Sequence, residues 1–565
     1  MKRSNNRIYT KFSSFVLLTS TLLMANLAEA QTQHKDTTMN RTVVVEQQYS
    51  PDIIDVSKIN VLPKVEQPTI SKKNVEYDNT LSPANSFPFT AMKFYSEKEE
   101  QELAKQGYAR LGYGNYGNLD ARISYLFNLS KRDKLTVFGA MDGMNGELTK
   151  PKIDPIGQET NKWDARFYRS RAGVDYLRQF SKLNMNISGQ WQLEDFNYKR
   201  NLMESGSSDK QRYNSVDVHF GVKSMDENLP FQFSAETNLL AFNKRHSISG
   251  ASANESIIRT KASVTGAISE QQKVTVAAQM DNISYSSQFK DYTSLQLNSY
   301  YELKDNNWYL KAGAHFDLAF NYGKSVRMAP DFVANYIFSD SFILYAEAKG
   351  GKIINDFRKM EQLHPYSNPE VRMSDSYEQL NTVVGFKASP LIGLWFNVYG
   401  GYKIVSDDLS PLYDSDNSSI SFSQGKTKSL FSGLKISYQY KDLYQFSVLS
   451  NAYSWQKTDK NLLVQKPLFD FELDANVQVL PRLKLNLGYQ YVRLASSELV
   501  DYASLTTVQY RMPSISNLKL GLTYTISPKV FIYARAENLL NKKYQYYYSY
   551  PTEELNYVGG LSFRF

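Results

Sequence analysis

Residues 529–565 read KVFIYARAENLLNKKYQYYYSYPTEELNYVGGLSFRF. Val530, Ile532, Ala534 and Ala536 alternate with Phe531, Tyr533, Arg535 and Glu537. A polar, tyrosine-rich excursion over 541–556 follows, and a second alternating run closes the chain. There Tyr557, Gly559, Leu561, Phe563 and Phe565 share one face, and Val558, Gly560, Ser562 and Arg564 the other. Successive side chains of a strand point to opposite faces, so such a strand can be greasy on one side and wet on the other.

The same two-faced pattern reaches back to about residue 107. Ala121, Ile123, Tyr125 and Phe127 oppose Arg122, Ser124 and Asn128; Val216, Val218, Phe220 and Val222 oppose Asp217, His219 and Lys223. Leu183, Met185 and Ile187 oppose Asn184, Asn186 and Ser188, and Leu483, Leu485, Leu487, Tyr489 and Tyr491 oppose Lys484, Asn486 and Gln490. On one strand Phe469, Phe471, Leu473, Ala475, Val477 and Val479 oppose Asp470, Glu472, Asp474, Asn476 and Gln478. Five carboxylates and amides in a row are prohibitive in a dry core and cheap against water. The pattern therefore argues for a barrel with a wet lumen and against a sandwich.

Composition agrees. The chain holds 41 Tyr and 31 Phe, 14% aromatic residues with Trp, yet its mean hydropathy is negative. Beyond the N-terminus it has no apolar run of the ~20 residues a membrane helix needs. A transmembrane barrel needs only alternate residues apolar, and Tyr suits its interfacial girdles. There is no cysteine, which excludes disulfides, thiolate metal sites, a thiol nucleophile and a lipid-modified N-terminal cysteine. A net charge of +8 over 565 residues is not a nucleic-acid signature.

Turn chemistry sets the topology. Short polar breaks stand at Ser130-Lys131-Arg132-Asp133, Phe180-Ser181-Lys182, Asp226-Glu227-Asn228, Ser269-Glu270-Gln271 and Asp305-Asn306-Asn307. They continue at Ser339-Asp340-Ser341, Ser389-Pro390, Lys441-Asp442, Pro481-Arg482 and Ser527-Pro528. Longer connections alternate with them, among them 144–163, 199–211, 356–379, 405–426, 456–464 and 541–556. Ten turns and eleven long loops give about 22 antiparallel strands of about 10 residues. The fold class expected is all-β: a transmembrane antiparallel β-barrel over 107–565.

Ahead of it, residues 1–30 read as a signal peptide: basic residues, an apolar stretch from Phe15 to Ala28, then Ala28-Glu29-Ala30 as the cleavage site. Residues 31–106 are rich in Pro, Lys, Asp and Glu. Pro51, Pro63, Pro68, Pro83 and Pro88 interrupt any regular element, so an extended periplasmic arm is expected.

The run Ala536-Glu537-Asn538-Leu539-Leu540-Asn541-Lys542-Lys543-Tyr544-Gln545, set before a last strand ending in Phe565, resembles the penultimate-strand motif of TonB-dependent outer-membrane receptors. Asn538, Leu539, Asn541, Tyr544 and Phe565 carry the match, and the abundance of Tyr, Lys and Asn is similar to that of Bacteroidota members. The resemblance implies a Gram-negative outer membrane, both chain ends periplasmic, lipid around the barrel and the barrel-assembly machinery during biogenesis. It also implies transport of a solute. Thr42, Val43, Val44 and Val45 look like a TonB box, a segment that adds a strand to TonB. Through it, residues 31–106 would meet TonB or another periplasmic protein. The chain departs from the family in that these 76 residues lack the Gly-rich βαβ-like pattern of a plug domain, so a complete plug is not expected. Since 22-stranded barrels are normally plugged, the arm, infolded loops or another protein must fill the lumen, and 356–379 and 405–426 are the candidate lids. The alternative is a non-transporting structural or assembly component of an outer-membrane complex whose lumen and arm bind partners.

No catalytic, cofactor or metal site is expected. The five histidines are His34, His219, His246, His315 and His364. Asp217 and His219 share a strand face and could form an acid–base pair, but no nucleophile accompanies them. Asp407, Asp408, Asp414 and Asp416 lie among serines like a calcium loop but without its spacing, and read as a solvated acidic loop.

Overall fold

The computed structural model describes residues 106–149, 162–198, 210–225, 230–245, 254–286, 289–339, 341–367, 372–413, 420–456, 460–501, 506–547 and 550–565. The expected leader, the arm before Gln106, Thr42–Val45, the Asp226-Glu227-Asn228 turn, Asp414 and Asp416 lie outside them.

The strands form one antiparallel sheet of 22 that closes on itself. Sequence neighbours pair throughout, except that Leu483–Leu494 pairs with Ile515–Ser527 across a separate hairpin, Ser497–Asp501 with Thr506–Tyr510. At the seam the first strand, Gly107–Gly114, lies against the last, Asn556–Arg564, with Tyr108 opposite Arg564 and Gly114 opposite Val558. Gly107 and Phe565 exchange both backbone hydrogen bonds, at 2.7 and 3.0 Å. No edge is left, as a sheet in hydrocarbon requires.

The alternation puts apolar side chains outside. Leu111, Ile123, Val218, Val264, Val384, Leu561 and Phe563 are all exposed on one face. Aromatic rings gather around the short turns: Trp308 lies 4.5 Å from Tyr336, and Phe338, Phe342 and Phe386 stack within 5.9 Å of one another. Phe565 stacks on Tyr125 at the same end. Such a girdle matches the headgroup level of a bilayer.

The opposite face carries the charges, largely as cross-strand ion pairs. Arg169 sits opposite Glu194, Lys261 opposite Glu236 and Arg259 opposite Asp281, and each pair is bonded. Directly opposite residues of opposite charge are the favourable arrangement on a sheet. Across the seam, the buried Asp120 pairs ionically with Arg110 (2.8 Å) and Arg122 (3.3 Å) and accepts from the Tyr533 hydroxyl (3.1 Å), with Arg535 at 3.7 Å. The Arg110 guanidinium lies 3.6 Å over the Tyr533 ring. Tyr533 can reach across only because Gly112 and Gly560, opposite one another, carry no side chain. A Cβ on Gly112 would lie 1.9 Å from the Tyr533 hydroxyl, and one on Gly560 2.2 Å from the Leu111 carbonyl oxygen.

Three expectations are corrected. Strands run from 8 to 21 residues in the barrel rather than about 10, because alternation continues past what a bilayer spans. The described ends of both stretches, 144–149 with 162–163 and 405–413 with 420–426, are therefore strand: Asp133–Thr149 pairs to Lys162, and Leu394–Tyr413 pairs with Ile420–Tyr440 as a tall hairpin. Ser389-Pro390 is no turn. The strand Ser376–Leu391 absorbs Pro390, which has no N–H to give, at a register shift between Ala388 and Leu391. The chain reverses at Ile392-Gly393, where Gly393 has φ +82°.

Asp120→Ala leaves three cations at the seam without their carboxylate, a class of loss that costs about 3–5 kcal/mol. The folded, fast-migrating form in unheated detergent gels should unfold at a clearly lower temperature, and Gly560→Val should do the same through its clash. Leu111→Ala, on the outer face, should leave the transition nearly unchanged.

Candidate functional site

The barrel has a turn end, where both termini of the sheet lie, and a loop end. At the loop end residues 354–367 fold inward instead of standing out. Asp356 begins the short helix Phe357–Leu363, its carboxylate accepting from the Lys359 N–H at 2.7 Å. Phe357, Met360 and Glu361 make one buried stripe at i, i+3 and i+4. Phe357 packs on Phe242, Tyr285 and Phe289, with centroids 5.5–6.3 Å away, and its N–H donates to Glu255 at 2.8 Å. The chain then passes His364, which packs at 4.8 Å from Tyr547, and reaches Tyr366, which lies flat on Tyr550 at 3.8 Å. Phe196 and Trp163 close on Tyr366 edge-on, and Tyr213 donates to the Ser367 carbonyl at 3.1 Å. The loop thus leaves Phe342–Ile353 and ends against strands Lys162–Gln179 to Lys210–Ser224, across the lumen.

Two further loops complete this layer. Leu462 and Val464 are buried beside it, Gln465 donates to the Tyr546 carbonyl at 2.9 Å, and Lys466 bonds Asp408 at 2.6 Å. In the last loop Asn538, with φ 52°, takes the turn. Its backbone N–H donates to Asn517, and its side chain donates to the carbonyls of Lys542 and Glu553 and accepts from the Lys542 N–H. Asn541, with φ 48°, accepts from the Leu555 N–H at 3.0 Å. Asn tolerates this left-handed region better than most residues. The Leu539 N–H donates to Leu518, Tyr544 is buried in the aromatic layer, and Phe565 is far away at the turn end. The structure thus brings Asn538, Leu539, Asn541 and Tyr544 together as one loop corner and leaves Phe565 apart from them.

The layer holds the largest apolar cluster among the described residues. Sequence reasoning missed its aromatic members except Tyr544; the tyrosine run 544–550 was the signal that could have found them.

Charge is handled within the layer. Glu361 faces Glu194, and burial, then that neighbouring carboxylate, push its carboxyl well above the usual range. It hydrogen-bonds Glu194, which also takes Arg169. Lys359 is depressed to about 8 by burial, against the pull of Asp356, Asp408 and Asp375. In the last loop Glu553 keeps some accessible surface but is enclosed on most sides. Burial raises it to about 8, against the Asn118 amide that donates to it at 2.9 Å.

Between the helix and the wall lies a cavity of about 710 Å³. Arg358, Lys359 and Gln362 form its roof, and Arg171, Asp217 and Gln296 are among its wall residues. Asp217 is bonded to Arg358, while His219 bonds Asn238 at 2.6 Å, so the two expected acid–base partners are separately engaged. Asp407 binds Arg327, and Asp408 binds Lys466 and Thr427, which corrects the solvated reading for these two and removes both from a calcium cluster. Among the described residues no group of three or more acidic or histidine side chains could hold a metal.

Magnitudes identify the anchor. Truncating a buried Phe costs about 3–5 kcal/mol, whereas a part-exposed ion pair such as Arg358–Asp217 contributes about 0.2–1 kcal/mol. Phe357→Ala should therefore release residues 354–367 to fast hydrogen exchange, and Arg358→Ala should change it little. Glu553 has its carboxyl raised above the ordinary value, so its contribution to packing is complete below about pH 4–5 and is lost as pH rises through about 8. Exchange within the last loop, corrected for intrinsic rate, should accelerate between pH 7 and 9, and Glu553→Gln should flatten that rise.

No protein-family model and no curated protein matches the chain. Solved structures do. The FrpB iron transporter of Neisseria meningitidis superposes with TM-score 0.63 at 10% identity, over 82% of each chain. Pseudomonas aeruginosa FpvA, solved bound to heterologous pyoverdines, gives 0.62 at 11% identity over 82% of this chain and 72% of that one. The siderophore receptor PirA of Acinetobacter baumannii gives 0.61 at 9% identity over 83% and 81%. At these identities the likeness is one of fold, and the fold this chain shares is that of outer-membrane receptor and transporter barrels.

Proposed function

We propose that this protein is an outer-membrane barrel of the TonB-dependent-receptor type that moves a solute through its lumen and closes that lumen at the loop end with residues 354–367. One observation carries the reading: a closed 22-stranded barrel is crossed at one end by its own loop, above a polar cavity. A barrel of this width left empty would be a leak. The aromatic layer is a means of closing it that needs no complete plug.

The turn end faces the periplasm in this reading, with both termini. Thr42 to Val45 then meet TonB by adding a strand, or meet another periplasmic partner. The machinery for opening the loop layer would act from that side. Catalysis has no part in the proposal.

Conductance of the purified protein in planar bilayers tests the reading. The intact protein should be nearly closed, and deletion of residues 357–366 should open large, weakly ion-selective steps, because both signs of charge line the wall. If the intact protein is already wide open, the loop layer is no closure. If it stays sealed after the deletion, and uptake is unaffected when Val43–Val45 are replaced or TonB is removed, the non-transporting structural component is the better account.

A further inference from the structure

The cavity beneath the helix is chemically unusual for a charged lumen, because its charges are already spent. Five cationic side chains line it, and each has a partner or an acidic neighbour of its own. Arg171 bonds Asp142 at 3.0 Å, Arg259 bonds Asp281, and Arg358 bonds Asp217. Lys352 reaches Asp375 at 3.2 Å, and Lys359 donates to Asn355 at 2.7 Å beside the Asp356 carboxylate. An entering anion would find these cations engaged and would stand beside their carboxylates. An entering cation would meet the guanidinium groups. Either charge would have to break a pair to gain one, so neither is favoured over water.

Unengaged amides remain. Gln190, Gln296 and Gln362 line the cavity from two walls and the roof, and none has a hydrogen-bond partner among the described residues. Each carboxamide offers two donors and an acceptor. The paired Arg and Asp side chains add further donors and acceptors whose net charge is already cancelled. Groups that both donate and accept, at neutral net charge, are what hydroxyls are. Ile354 is the one apolar side chain in the lining, so the cavity offers no greasy surface to an apolar ligand. Its ~710 Å³ lies inside the range of about 300–1,000 Å³ typical of small-molecule sites.

We infer that this cavity binds a neutral, polyhydroxylated solute, a short oligosaccharide or a polyol, through Gln190, Gln296 and Gln362 and the outer edges of the neutralised ion pairs. The inference rests on the reading of the barrel as a solute-handling one and names the substrate class for it. It also gives the loop layer a second role: the helix carrying Gln362 and Arg358 is both roof and ligand contact, so an occupied cavity holds the roof in place.

The test is calorimetric titration of the full chain in detergent against three sets of probes. These are neutral mono- to tetrasaccharides with linear polyols; citrate and inorganic phosphate; and calcium. Saturable binding within the neutral set is expected, with none from the other two. Gln190→Leu with Gln296→Leu should weaken it by about tenfold or more, while the folded gel mobility and the near-closed conductance persist, since both side chains are free of structural bonds. Gln362→Leu should weaken it as well, and ligand should slow exchange in 357–366. Binding of citrate or phosphate in place of the neutral probes overturns the assignment, as does neutral binding indifferent to all three substitutions, or no binding in any set. In each of those cases a conductance that opens on loop deletion leaves the transport reading standing, so the two failures are separable.

Discussion

Backbone amides in hydrocarbon have no water to bond, so a sheet there must close completely or not exist. In this chain that demand falls on the contact between Gly107–Gly114 and Asn556–Arg564, residues more than four hundred positions apart in sequence. Both strands are short and rich in glycine, which is a weak way to build a strand. The compensation lies on the lumen side, where Asp120 gathers Arg110, Arg122, Arg535 and Tyr533 from three strands around the closing one. Asn115 adds a second tie at the loop end, donating to the Leu555 carbonyl and accepting from the Tyr557 N–H. Closure then fixes everything else: which face meets lipid, which meets water, and where an interior is available to be filled.

The consequence is an inverted distribution of core. Soluble proteins bury their apolar side chains in the middle. Here the middle of the barrel is charged and wet, and the dry cluster sits at the loop end, built from loop residues and the ends of strands that extend past the bilayer. Phe196, Phe357, Met360 and Tyr366 pack together there, and they hold Arg358, Lys359 and Gln362 against the cavity. Hydrophobic burial keeps the roof down, and ion pairs line the space beneath it.

The sequence was informative wherever the signal had a period of two. Outer and inner faces are as read, because a strand between lipid and water must alternate, and strand number followed from turn chemistry. Strand length was not legible: the far end of the hairpin Leu394–Tyr413 with Ile420–Tyr440 is rich in Ser and Asp and reads as loop, although Leu409, Ile420 and Phe422 are buried in the loop-end cluster. Pro390 looked like a turn because proline usually is one, whereas here a register shift spares the ladder its missing N–H. The loop layer escaped for another reason. A seven-residue helix is too short to show periodicity, and only the Asp356 cap with Phe357 and Met360 three apart hinted at it. The partners of Tyr366 lie in strands and loops far along the chain, and no local pattern encodes that meeting. Tyr544 was singled out as part of a motif, yet its place in the layer follows from the corner that Asn538 and Asn541 make.

The central claim is that the two ends of the sheet meet in one register, and the chain's lack of cysteine makes a direct measurement possible. Ala109 lies opposite Phe563 in the seam. With Ala109→Cys and Phe563→Cys together, mild oxidation of the protein in membranes should form the 109–563 disulfide nearly completely, while pairing Ala109→Cys with Tyr557→Cys, six residues out of register, should give none. Efficient cross-linking of the second pair, or of neither, would contradict the closed cylinder on which this account stands.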